Sequence, residues 1–456
     1  DDWRVFAASF AIALFLGLSL MLTNQGASLR KVAIREMFLL TAGSWLFVAA
    51  VSALPFTFSD LRLSYTDAFF EAMSGITTTG STVIVGLDDA PRGILLWRAL
   101  LQWLGGIGII VMALVILPTL QVGGMQLFRM ESSDRSDKAL PRTAQNAAGV
   151  AAIYLGLTLI CAFLYAVVGM DGFDAMLHAM TTIATGGFST RDASLGAFDP
   201  SVQWVAVVFM ALGGLPFILF LRTVRAAFTR ARAGEATALA RDSQTRWYLT
   251  ILGLGAAAVA LHVHFVVGLT ELDSIRVATF NVVSAMTGTG YATADYSAWG
   301  GYANVAFFFL MFVGGCAGST SCGIKVFRFQ VLYQWADVQA RRLLQPHGVF
   351  VAYYNGRPMS DEVAGSVTAF VFLFMLCFAA LAAILGMTGL DFMTALSGAA
   401  TALANVGPGL GPTIGPAGNF ASLPDEAKWA LSAGMLMGRL ELFTIFVMLS
   451  RQFWRA

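Results

Sequence analysis

The sequence predicts an all-α, polytopic membrane protein in which four helix–pore loop–helix repeats surround one central pore, with at least one further N-terminal transmembrane helix. Three observations carry this. The 456-residue chain is 57% hydrophobic and only 12% charged, with a mean hydropathy of +0.72; a soluble protein carries about 25% charged residues. Apolar runs near the bilayer-crossing length of about 20 residues lie at 3–23, 36–56, 92–117, 147–169, 201–221, 247–268, 301–316, 363–387 and 429–450. Four short loops rich in Gly and Thr recur in step, with Gly80, Gly186, Gly290 and Gly407 separated by 106, 104 and 117 residues.

Each element follows from this spacing. Residues 1–35 supply a peripheral N-terminal helix and a loop, and the absence of an initial Met leads us to expect a preceding N-terminal piece. The first repeat occupies 36–118, with a short amphipathic segment from about Asp67 and the loop Thr77-Thr78-Thr79-Gly80-Ser81. A linker and the second repeat fill 119–225, with a segment from Asp174 and the loop Ile183-Ala184-Thr185-Gly186-Gly187. The third unit, 226–331, has its segment from Asp273 and the loop Thr287-Gly288-Thr289-Gly290-Tyr291. The fourth, 332–456, has Asp391 and Ala404-Asn405-Val406-Gly407-Pro408. An acidic residue suits a helix start, where it caps free N–H groups and meets the positive end of the dipole. The short segments cannot span, so they are expected to dip in from one face and aim their carbonyl ends at a common cavity.

Irregular backbone at membrane depth is tolerated only when buried in protein or lining a water-filled path. Four such loops therefore imply a pore, in which glycine permits the backbone angles that turn successive carbonyls one way and carbonyl oxygens replace the hydration shell of a cation. Threonine hydroxyls add further hard oxygen donors. The loops contain no carboxylate that would suggest a calcium filter.

Net charge is +1, but its distribution is uneven: the inter-repeat segments and the C-terminal end hold 20 of the 28 Lys and Arg residues. They include Arg30, Lys31, Arg129, Arg135, Lys138, Arg230, Arg232, Lys325 and Arg328. The positive-inside rule makes those segments cytoplasmic, which puts the Gly/Thr loops and the acidic Asp88, Asp89, Asp192, Asp199 and Asp295 at an outer vestibule able to concentrate cations. Nucleic acid is not needed to explain the basic loops. The four cysteines have no metal or disulfide spacing, and no organic cofactor is expected. Ser319, Ser321 and Cys322 have no His or Lys fixed beside them by sequence to make a nucleophile, so an enzyme is not expected.

The stretches Thr77 to Val83, Thr182 to Thr190, Met286 to Ala292, Gly314 to Lys325, Asn405 to Gly411 and Gly438 to Leu442, in this order, resemble the potassium transporter superfamily that includes the bacterial TrkH and KtrB subunits and the plant HKT proteins, and are most similar to the TrkH branch. The resemblance implies a homodimer with one pore per chain in the bacterial inner membrane. It also implies a cytosolic TrkA-like ring that binds NAD(H), ATP or ADP, docked on basic loops such as Arg222 to Arg246 and Arg341 to Arg357. Potassium would be coordinated by backbone at Thr78, Thr79, Ala184, Thr185, Gly288, Thr289, Asn405 and Val406, beside Gly80, Gly186, Gly290 and Gly407. Serine at the first filter glycine accompanies sodium permeation in this superfamily; glycine at all four positions favours potassium.

Two elements below the filter are gate candidates. The third unit's second helix is interrupted at Gly314, Gly315, Gly318, Ser319, Thr320, Ser321 and Gly323, residues of poor helix propensity; a tight crossing of small residues is the competing reading. Lys325 borders the same region. Arg439 is a charge inside the last span, which at a helix centre costs at least about 2.5 kcal/mol and faces a cavity or a partner. In the blander reading its partner is Glu441 or helix-end carbonyls, while the resemblance implies a barrier in the permeation path. His178, His262 and His264 are read as packed or interfacial, and Trp97, Trp103, Trp204, Trp247 and Trp429 as interface anchors. A cation-coupled symporter, driven by H+ or Na+, stands as the alternative, although such a carrier would place an ionisable residue among the loops.

Overall fold

The computed structural model describes residues 2–25, 34–115, 139–229 and 238–455. Arg30, Lys31, Arg129, Arg135, Lys138, Arg230 and Arg232 lie outside that set. Trp3–Thr23 is a helix with only Ser9 buried, so almost all of its surface is left for lipid. Four units follow, each a long helix, a short half-helix, a loop and a second helix.

The half-helices are Tyr65–Ile76, Gly172–Ile183, Glu271–Thr287 and Phe392–Ala404. At 1.5 Å per residue the 12 or 13 residues of the first, second and fourth cover about 18–20 Å and the 17 of the third about 26 Å, all short of the roughly 30 Å hydrocarbon core. Their starts are fixed by side-chain caps. Ser64 and Thr270 accept from the backbone N–H of Asp67 and Asp273 and donate their hydroxyls back to those carboxylates, reciprocal pairs that satisfy free donors. In the second unit Asp171 is the cap, so Asp174 begins nothing and sits inside the first turn; Asp391 caps the fourth.

Packing closes these elements into a ring. Each half-helix lies against the second helix of its own unit or the long helix before it, and also against the second helix of the preceding unit. Thus Tyr65–Ile76 touches Asp425–Arg439, Gly172–Ile183 touches Arg92–Val115, Glu271–Thr287 touches Pro200–Gly213, and Phe392–Ala404 touches Gly301–Phe312. Small residues permit the approach: a Cβ on Gly105 would fall under 3.0 Å from the Ile76 carbonyl, and one on Gly438 the same from that of Leu403. Close packing of this kind holds helices together where lipid removes the hydrophobic driving force.

Among the described residues, three of the four second helices are broken, not one. The expected span 201–221 divides into Pro200–Gly213 and Phe217–Thr229, with a 94° bend; Pro216 supplies no N–H and disfavours helix at Leu215. The run 301–316 stops at Phe312 and resumes at Val326. The run 429–450 splits into Asp425–Arg439 and Leu442–Leu449, around Glu441 at φ +58°. Arg439 therefore stands at a helix end, where free carbonyls favour a cation, rather than mid-span. Beside these helices, Tyr353–Tyr354 and Arg357–Pro358 form a small antiparallel hairpin. Its turn is Asn355-Gly356, with both φ positive, as a two-residue type I′ turn requires.

Candidate functional site

The four half-helices end in loops of one conformation. The N–H groups of Thr79, Gly186, Thr289 and Val406 reach back five residues to the carbonyls of Ser74, Thr181, Ser284 and Thr401. The preceding residues Thr78, Thr185, Gly288 and Asn405 are left-handed, at φ +52°, +49°, +69° and +52°. One residue beyond the reach-back position, Gly80, Gly187, Gly290 and Gly407 have φ between +79° and +112°. Both features set Gly186 level with Thr79, so the glycine equivalent to Gly80 is Gly187. Ala184 falls level with Thr77, Thr287 and Ala404, at the end of the half-helix. The steps become 107, 103 and 117 residues. Of the two adjacent glycines, a Thr-Gly motif selects the first, whereas the backbone uses the second.

These glycines close a ring. A Cβ on Gly80 would lie under 3.0 Å from the Gly186 carbonyl oxygen, one on Gly187 from that of Thr289, one on Gly290 from that of Val406, and one on Gly407 from that of Thr79. Each loop thus presses one carbonyl onto the preceding loop's glycine, in cyclic order. No side chain fits, and φ above +20° penalises any Cβ as well. Gly186 is a glycine for another reason. Gln102 donates Nε2–H to its carbonyl at 2.5 Å and accepts from Phe188 N–H at 3.0 Å, and a Cβ on Gly186 would strike that amide.

The two glycines should therefore respond differently. Gly186→Ala is expected to be rescued by Gln102→Ala, which removes the obstructing side chain, whereas Gly187→Ala faces backbone and is not. Thermal unfolding in detergent reads this; rescue of both or of neither would overturn the register.

The threonine hydroxyls are engaged with one another. Thr77 and Thr79 lie 2.8 Å apart, Thr287 and Thr289 2.7 Å, and Asn405 Nδ2 donates to Thr79 Oγ1 at 2.9 Å. Thr78 Oγ1 alone among the loop threonines is buried without a hydrogen-bond partner. Behind loops one and two stands a buried ion pair that the sequence did not reveal. Arg98 Nε meets Glu71 Oε1 at 2.8 Å; Arg98 also donates to the Ser189 carbonyl at 2.7 Å and lies 4.0 Å over the Phe188 ring. Glu71 accepts in turn from Thr82 Oγ1 and Val83 N.

A cavity of about 70 Å³ opens beside Gly80, Gly187, Gly290 and Pro408, at the mouth. Its rim is less uniformly acidic than expected. Arg191 pairs with Asp174 at 3.0 Å and Asp88 at 3.3 Å, and the Asp174 carboxylate beside it holds its guanidinium above the ordinary range. Asp192 accepts from Leu87 N–H, tying two loops. His178 is packed as expected, with its ring nitrogens on the Asp174 carbonyl and Ser189. Trp97 and Trp103 are half-buried and donate to the Ser52 carbonyl and to Thr158.

On the other side of the ring, residues 313–325 form a loop whose neck is closed by Gly314 N–H to the Ile324 carbonyl and Ile324 N–H to the Phe312 carbonyl. The break in the second unit meets it. Cys316 N–H donates to the Gly214 carbonyl, Thr320 N–H to that of Gly213, and Phe217 N–H to that of Gly318. Two interrupted helices thus satisfy each other's backbone, the condition for irregular chain at this depth. Gly318 and Gly323 supply φ of +76° and +71°, and Gly314 and Gly315 sit too close to backbone for a Cβ. Ser319 donates to the Cys316 carbonyl, Ser321 accepts from Gly315 N–H, and Lys325 Nζ donates to the Ser321 carbonyl.

Arg439 reaches this loop. It donates to the Thr320 carbonyl at 3.2 Å, to the Cys322 sulfur, and to the Gly105 carbonyl of the first unit at 2.8 Å, and is 1% exposed. Arg439, Lys325 and Glu441 line one small cavity with Ser319, Ser321 and Gly323. Glu441 does not pair with Arg439: its partner is Arg328, at 2.5 Å, buried and stacked 3.6 Å from Phe370. Lys325 and Arg328, counted above among the basic loop charges, are interior.

A pseudo-fourfold ring of re-entrant loops, free of carboxylates and flanked by broken helices, defines a polytopic membrane transport protein. Comparison with known proteins agrees. The chain belongs to the TrkH family of cation transport proteins, whose model matches residues 3–455. It is 50% identical to the Trk system potassium uptake protein TrkI of Halomonas elongata, over 97% of this chain and 90% of that one. It is 38% identical to the Trk system potassium uptake protein TrkH of Escherichia coli, over 99% and 92%. The crystal structure of the potassium transporter TrkH from Vibrio parahaemolyticus superposes with a TM-score of 0.88 at 35% identity, covering 100% of this chain and 93% of that one.

Proposed function

We propose that this chain takes up potassium through a channel-like pore. The filter would comprise the backbone of Thr78-Thr79-Gly80, Thr185-Gly186-Gly187, Gly288-Thr289-Gly290 and Asn405-Val406-Gly407. The observation that carries the reading is the cyclic contact of four left-handed glycines with four carbonyls; a cation stripped of water needs such a set of fixed oxygens. The potassium uptake relatives support the choice of ion. No carboxylate, histidine, lysine or arginine stands in the loops to couple protons, which favours a channel over a symporter, with uptake driven by membrane potential at about 2.3 kcal/mol per charge per 100 mV. In this reading the inter-repeat segments face the cytoplasm from the bacterial inner membrane. There, exposed basic residues such as Arg222 and Arg341 would receive a nucleotide-binding TrkA-like ring, and two chains would pair. The loop 313–325 and Arg439 form the gate.

Potassium and sodium flux through the purified chain in liposomes tests the filter. Gly80→Ser puts a side chain against the Gly186 carbonyl, so the potassium-to-sodium flux ratio is expected to fall by about tenfold or more, a change of about 1.4 kcal/mol. An unchanged ratio would exclude Gly80 from the filter.

A further inference from the structure

A second site lies at the membrane face away from the filter mouth. The helix Ser243–His262 has 20 residues, a length of about 30 Å, and its far end leads through Val263–Val267 to the half-helix Glu271–Thr287 at the mouth. Its first turn therefore lies near the opposite bilayer surface. A pocket of about 340 Å³ opens there, lined by Arg241, Arg246, Trp247, Gln330 and the hairpin tip Asn355. It is continuous, through Ser243, Arg246 and Trp247, with a largely apolar groove of about 490 Å³ that runs up the same helix past Thr250 and Ile251.

The pocket's polar groups are arranged for a ligand. Arg241 and Arg246 are exposed, and among the described residues neither is in an ion pair. The nearby carboxylate, Asp242, is occupied in capping Thr245 and accepting from Asn355. Gln330 is 4% exposed; its Nε2 donates to the Ser243 carbonyl at 2.9 Å, while its Oε1 has no donor. Trp247 packs 5.6 Å from Tyr333 at the junction of pocket and groove, the level at which such rings mark the headgroup region.

We propose that this is a binding site for one anionic phospholipid. The phosphate is held by Arg241 and Arg246, and an acyl chain lies in the groove over Trp247, Thr250 and Ile251. Two cations next to an apolar channel fit a phosphate joined to a hydrocarbon chain, which neither free phosphate nor a neutral lipid matches on both counts. The site is independent of the ion carried through the pore.

Native mass spectrometry of the intact chain in neutral detergent tests this, with phosphatidylglycerol, phosphatidylcholine and water-soluble glycerol 3-phosphate as probes. Phosphatidylglycerol is expected to be retained at one molecule per chain, roughly tenfold more strongly than phosphatidylcholine. The doubly substituted Arg241→Gln, Arg246→Gln chain should lose that preference. Thr250→Trp, which fills the groove and leaves both arginines, should weaken retention of the lipid to a similar degree and serves if the double variant does not fold. Equal retention of the two lipids, retention unaffected by these substitutions, or displacement of the lipid by glycerol 3-phosphate at comparable concentration would overturn the assignment, the last by showing a phosphate pocket without a lipid.

Discussion

Arg98→Ala is expected to lower stability by about 3–5 kcal/mol, the cost of orphaning one partner of a buried ion pair, and to degrade the filter as well. Arg98 is 1% exposed and Glu71 is fully buried. The guanidinium links the carboxylate of the first half-helix to the Ser189 carbonyl just past loop two, and Glu71 fixes Thr82 and Val83 just past loop one. One pair therefore sets the separation of two adjacent loops in the ring. Replacing both residues, Glu71→Leu with Arg98→Met, should recover most of the stability, because two well-packed apolar groups cost less than one unpaired charge. It should not recover ion selectivity, since Val83 N–H and the Ser189 carbonyl lose their partners. Thermal unfolding in detergent and paired potassium and sodium flux measure the two effects. If Arg98→Ala costs under about 1 kcal/mol and leaves the flux ratio intact, the pair is not what positions the loops.

The repeat was legible because the same physical need recurs four times: a half-helix must end at membrane depth in backbone that only a few residue types can adopt. The composition and the short amphipathic segments placed the half-helices to within a few residues. What escaped was set by contacts between distant parts of the chain. In loop two the choice between Gly186 and Gly187 depends on Thr289 of another unit and on Gln102 of a third element, which no local motif records. The bend at Gly213-Gly214-Leu215-Pro216 was written in its residues and was masked by an apolar run long enough to count as a span. The turn at Glu441 has no glycine to announce it; its left-handed backbone is held by the buried bond to Arg328, 113 residues away. Arg328 and Lys325 looked like loop charges because they follow an apolar stretch. That stretch breaks at Phe312, and the chain that follows stays inside.

The pairing of Glu441 with Arg328 also makes the second large prediction clean. Arg439→Ala strands no carboxylate: Glu441 keeps Arg328, and the groups released are the Thr320 and Gly105 carbonyls and the Cys322 sulfur, in a cavity that water can enter. The variant should therefore fold, and it removes a cation lying below the ring together with a tether on the loop 313–325. Potassium flux in liposomes is expected to rise by about tenfold or more, equivalent to about 1.4 kcal/mol off the barrier. Arg439→Lys separates the two contributions. A lysine keeps the charge but, as a point donor, cannot bridge Thr320 and Gly105 as the planar fork does. Flux close to that of the unaltered chain in Arg439→Lys assigns the barrier to charge, and flux close to that of Arg439→Ala assigns it to the tether. Unchanged or slower flux in Arg439→Ala would remove Arg439 from the gate and leave it as a structural cap on the carbonyls of two neighbouring units.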